Sequence, residues 1–257
     1  EQSRLNSTLN LDFEASTKSP ANIDRSAINN NTPEGQKFNE IYDELVNVPE
    51  FKAIFIDVFN SDGTRPNVKF VIEEHVYSLD NPNNAEVNAT TNGTNPNFYL
   101  IKINKQCLLP NTTKSQADIE IAKTIAHESM HAYLYFNINN PVFANISMPD
   151  LLDELKNIDA NQHNFIFTKL APKLGAILSA LKDVLTTPTQ RAIVENMPMY
   201  AVQNPQSVPI TWNWNTYFTY LSYQGLEESE GFKALFPPGS NALYIYTQYM
   251  AIGHYNL

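Results

Sequence analysis

In AKTIAHESMHAYLYF, residues 122 to 136, two histidines and a glutamate stand inside an otherwise apolar run. Imidazole and carboxylate groups are costly to bury unless something compensates them, and here their spacing suggests the compensation. His127 and His131 are four residues apart, so on an α-helix both rings share one face and can grip one metal ion. Glu128 is turned about 100° from His127, off the ligand pair but within reach of a water on the metal. The HExxH pattern predicts Zn2+, which accepts imidazole nitrogen and, with three protein ligands, keeps a fourth position for a water whose pKa falls toward ~7. Glu128 is then the general base that takes the water's proton as a carbonyl is attacked.

A third ligand is needed, and the remaining histidines are His75, His163 and His254. His163 lies in DANQHNFIFTKLAPKLGAIL, behind a helix-start signal at Asp159 with Gln162 three residues on, and heads an apolar face of Phe167, Leu170, Leu174, Ile177 and Leu181. A core-packed helix would hold its ring rigidly, although Pro172 should kink or interrupt that helix. Glu154 and Asp159 are the competing carboxylate ligands. His75, after two glutamates at a strand end, reads as a surface residue, and His254 is open to either role. The single cysteine, Cys107, excludes an intrachain disulfide and a CxxC knuckle, and its expected role is packing.

These residues must be positioned by the elements around them. Ser115 with Asp118 fits a capping box, so the helix carrying the motif should open there and run to the Asn-rich turn before Pro141. NVKFVIEEHVY (67–77) and FYLIKIN (98–104) read as strands joined by a long Asn/Thr/Gly/Pro-rich connection. Thr32-Pro33-Glu34 reads as a helix start, followed by Phe38, Ile41, Tyr42 and Leu45 at helical spacing. The apolar run from Phe51 to Phe59 leans to helix. Residues 1–33, rich in Asn, Ser and Thr, read as a poorly ordered N-terminal arm, and 190–257 as an aromatic-rich helical subdomain packed on the rest. A tyrosine from that last region, reaching over the metal, is a candidate donor to the oxyanion.

With 42% apolar residues the chain can close a core, and its net charge of −10 argues against a nucleic-acid partner. No apolar run is long enough to span a membrane. The opening at Glu1 without methionine reads as a mature form, an excised domain or a trimmed chain.

HESMHAYLYF followed by QHNFIFTKLAPKLG resembles the SprT-like, or Spartan-type, zinc metallopeptidases, in which HExxHAYL precedes a histidine-containing segment and a second packed helix. The resemblance covers residues 36–185 and is strongest over 119–136. It implies that His127, His131 and His163 hold one zinc ion, that Glu128 is the base, and that 34–189 is a small zincin-like α+β domain with strands beside the active-site helix. It also implies an extended polypeptide substrate near the sheet edge. The segment 138–158 is longer than in the repair-type members, and there is no cysteine-rich module or basic stretch, which argues against DNA-linked repair. The tail FTYLSYQGLEESEGFKAL is similar to SprT-like domains at the ends of larger bacterial surface or secreted proteins, including toxins and secretion-system effectors. The expectation is an exported zinc endopeptidase, secreted or at the cell surface, with the cytoplasm as the alternative setting. A zinc amidase acting on non-protein amides and a catalytically silent, zinc-stabilised binding module are the alternative functions.

Overall fold

Thr32 turns the chain into its first helix. Its hydroxyl accepts the Gly35 N–H at 3.2 Å, and Pro33 has no N–H to leave unpaired, so Pro33–Leu45 (α1) begins where the sequence predicts. The computed structural model describes residues 22–59, 67–78, 85–139, 159–203 and 206–257. Helix α1 buries Phe38, Ile41, Tyr42 and Leu45. After it, Pro49–Phe51, a π-helical turn Lys52–Ile56 and Asp57–Phe59 run on as the helical stretch the sequence leaned to, and the rings of Phe51, Phe55 and Phe59 contact one another in series along it.

The architecture is mixed α+β. A four-stranded sheet has the order β1-β2-β4-β3, from Ile23–Asp24 (β1), Asn67–Glu73 (β2), Ala89–Asn95 (β3) and Phe98–Asn104 (β4). Strands β1, β2 and β4 are parallel, and β3 returns antiparallel on β4. Two expectations are corrected here. The N-terminal arm was expected to extend to residue 33, but its end is tied into the fold: Ile23 pairs with Val68 and is buried, as is Ile28. These apolar anchors, with Arg25 paired to Asp43 at 3.1 Å and Asp24 to Lys69 at 3.3 Å, dock a stretch whose average composition is polar. Residues 1–21 of the arm lie outside the described residues. The connection between the predicted strands also contains β3, which composition hides because its two buried positions are Thr91 and Gly93.

The motif lies in Asp118–Asn139 (α2), a helix buried on every side, with Ile119, Ile121, Ala122, Ile125, Ala126, Met130, Ala132 and Leu134 all in the core. Its start differs from the expected capping box. Ser115 does not cap it; Glu120 Oε2 accepts the Ala117 N–H at 3.0 Å, and Asp118 pairs with Lys37 at 3.0 Å. Helix Asp159–Phe165 (α3), a π-helical turn Ile166–Leu170 and helix Ala171–Leu185 (α4) follow. The interruption expected of Pro172 is this π turn, which lets the proline fall in the first turn of α4, where its missing N–H leaves no bond unmade.

The C-terminal region adds Pro188–Asn196 (α5), a hairpin of Met199–Gln203 (β5) and Gln206–Ile210 (β6), and helices Trp214–Tyr223 (α6), Glu230–Leu235 (α7) and Asn241–Asn256 (α8). It is therefore helical with a hairpin that the sequence reading did not include. Trp212, Tyr217, Phe218, Leu221 and Tyr249 belong to the same buried cluster as Ile125 and Met130 of α2, and a smaller cluster forms around Phe232, Phe236 and Tyr246. Among the described residues no helix is long and apolar enough to cross a membrane. Cys107 is buried as expected, and burial pushes its thiol up to about 12.

Helix α2 lies so close on β3 that a Cβ at Gly93 would overlap the ring of Tyr135. Gly93→Ala is expected to destabilise the chain by about 1–3 kcal/mol, read by chemical denaturation; an unchanged midpoint would contradict this packing. The C-terminal end of α8 is joined to the start of α2 by His254, whose Nδ1 donates to Glu120 Oε2 at 3.0 Å. That hydrogen bond raises the His254 pKa above 6.5, against the opposing effect of burial. Its contribution to stability is fully present below the unfolded value and lost as pH rises through the higher folded one. With the side chain 41% exposed, solvent screening limits it to about 0.5 kcal/mol. The stability difference between wild type and His254→Gln is expected to shrink on going from about pH 6 to about pH 8; a difference that grows with pH would reverse the assignment.

Candidate metal centre

Helix α2 presents His127 and His131 one turn apart, both buried, and α3 brings the half-buried His163 against them. One ring nitrogen from each of the three lies within 4.8 Å of the other two. The Nε2 atoms of His127 and His131 are 3.2 Å apart, close to the about 3.4 Å between nitrogens bound tetrahedrally to zinc. The three histidines are thus close enough together to hold a metal ion, and His163 is where the sequence reading placed the third ligand. Glu154 and the side chain of Asp159 lie outside the described residues. His75 is half exposed and pairs with Glu86 at 3.0 Å, as a surface residue, while His254 serves the helix contact described above.

The donor chemistry fits a cation. His131 Nδ1 donates to Gln162 Oε1 at 2.9 Å, which turns the bare lone pair of Nε2 toward His127. Burial first, then the neighbouring His131, Lys123 and His163, holds His127 well below its usual pKa, so its imidazole is neutral and can ligate. Glu128 is pushed up to about 7 by burial, with opposing contributions from a Thr91 hydrogen bond and from Lys123 and His163. Thr91 Oγ1 lies 2.7 Å from Glu128 Oε2, to which it donates, and 3.0 Å from the Glu128 carbonyl, fixing the carboxylate against the backbone of its own helix.

These groups open on a cleft of about 380 Å³ bounded by β3 on one side, α2 on another and Gly225 opposite. Three residues of this environment were not singled out in the sequence. Gln162 was read as part of a helix-start signal, whereas its side chain holds His131. Thr91 reaches Glu128 from a strand hidden by its composition, and no local signal pairs them. Lys123 was legible, because it stands four residues before His127 on the same helical face. Burial pushes its pKa down. Among the described residues, the candidate oxyanion tyrosine from 190–257 does not line the cleft: Tyr135 of α2 does, and from the C-terminal region Gly225 does.

Comparison with protein families, with curated proteins and with solved structures finds no match to this chain.

Loss of the third imidazole should leave two, a poor set for zinc. His163→Ala is expected to abolish stoichiometric zinc at micromolar metal, and Gln162→Leu to weaken it by about 10–100-fold through the freed His131 ring. Metal analysis with a competing chelator checks both; full occupancy in His163→Ala would remove that residue from the site.

Proposed function

We propose that the chain is a zinc-dependent endopeptidase of the SprT-like, zincin type. The observation that carries this reading is the arrangement around one point: three imidazoles converge, and a buried carboxyl, Glu128, sits beside them without belonging to the set. Zinc, when bound by His127, His131 and His163, supplies a Lewis acid that activates water and polarises a carbonyl.

The chain's own residues supply the rest. Thr91 engages Oε2 of Glu128, which leaves Oε1 to accept a proton from water and pass it to the departing amine. Gln162 keeps His131 in one tautomer. Strand β3 ends the sheet order and borders the cleft, so an extended polypeptide can add along it by main-chain pairing. The charge of −10 supports a protein rather than a nucleic-acid substrate. The resemblance to domains of larger exported bacterial proteins supports a secreted or cell-surface setting.

Glu128→Gln tests the reading. The variant is expected to keep one zinc per chain while cleavage of a casein-type substrate falls by about 10²–10⁴-fold. Turnover within tenfold of wild type would sink the proposed base. Zinc binding by wild type with cleavage only of small amides would point to the amidase alternative, and no cleavage at all to a binding module.

A further inference from the structure

Lys123 lies one turn before His127 on the face of α2 that carries both histidines, and it is only 5% exposed. Its side chain borders the cleft. Among the described residues its ammonium makes no hydrogen bond or ion pair, and it is not sealed in: it opens on the cleft, where a charge with little water around it favours an anionic partner. The carboxylates whose charges bear on it are Glu227, Glu128 and Glu120, and each is held by other donors. Glu227 accepts the Gly225 N–H at 2.9 Å, Glu128 accepts from Thr91, and Glu120 accepts from Ala117 and His254.

Across from Lys123, Gly225 adopts φ +89°, and the point where a side chain would begin there lies 3.5 Å from Lys123 Nζ and 4.0 Å from His127 Cε1. Glycine at this position leaves open a space that touches both the ammonium and the first candidate metal ligand. A single compact ammonium beside several carboxylates suits a monoanion better than a phosphate, which calls for several donors.

We propose that Lys123 is the carboxylate-binding group of the cleft, so that the preferred substrates are peptides carrying a carboxylate beside the scissile amide. The inference rests on the peptidase reading for its substrate, but the anion site stands on Lys123 and Gly225. The carboxylate has two sources, the free C-terminus of a peptide or an Asp or Glu side chain.

The test measures binding to zinc-loaded Glu128→Gln chain, with and without Lys123→Met. The probes are one short peptide in three forms: free C-terminus, C-terminal amide, and C-terminal amide with a glutamate added. Lys123→Met is expected to weaken the carboxylate-bearing forms by about 10–100-fold and the neutral amide by less than about twofold. Loss confined to the free C-terminus assigns carboxypeptidase-like trimming; loss confined to the glutamate form assigns an acidic side-chain preference. Equal loss on all three forms, no loss on any, or no binding at all overturns the proposal. N-acetylglycine and N-acetylglycinamide, titrated by NMR into chelator-treated wild type and Lys123→Met, separate this inference from the peptidase reading. A Lys123-dependent preference for the acid without zinc-dependent cleavage keeps the anion site and removes the peptidase; cleavage without that preference does the reverse.

Discussion

Desolvation of helix α2 is the constraint on which the site depends. Residues 119–132 of this helix are buried throughout, so the polar groups along that stretch, which meet solvent only through the cleft, must find a partner or change their ionisation. The same burial that holds His127 neutral raises Glu128 and disfavours the charge on Lys123. Two opposite shifts along two turns follow from one environment, because desolvation penalises the charged form, which is cationic in His127 and Lys123 and anionic in Glu128.

The rest of the fold keeps that environment dry and its geometry fixed. Aromatic side chains of α1 and of the 49–59 stretch pack against Phe70 of β2, and those of 212–249 close the far side. The close approach of β3 at Gly93 sets the distance at which Thr91 can reach Glu128. The π turn before α4 is the matching device on the other side: it absorbs Pro172 while Gln162, one turn earlier in α3, stays in contact with His131.

What was legible in the sequence follows the range of the forces involved. Helix α1 and the strand at 98–104 are written in local periodicity and in Pro and Thr signals and form where the residues say, whereas the strand read over 67–77 ends at Glu73 and the motif helix opens at Asp118 without the Ser115 cap. The grouping of His127, His131 and His163 was legible because two share a helix face and the third heads an apolar helix. Strand β3 was not, since its inward positions are threonine and glycine, so it has no apolar alternation, and its threonines are interspersed with strand-disfavouring asparagine and glycine. Thr91 and Gln162 were missed for a related reason: their roles are set by a partner far along the chain, and a single hydroxyl or amide carries no pattern of its own. The docking of residues 22–28 shows the converse, a composition average outvoted by a few well-placed side chains.

Gly225 comes from the loop between α6 and α7, and that loop is supported by the aromatic cluster of the C-terminal region. The wall facing the histidines is thus supplied by a part of the chain that contributes no candidate ligand and no candidate base. A substitution at Gly225 would therefore change the space beside Lys123 and His127 while the HExxH helix itself stays unaltered.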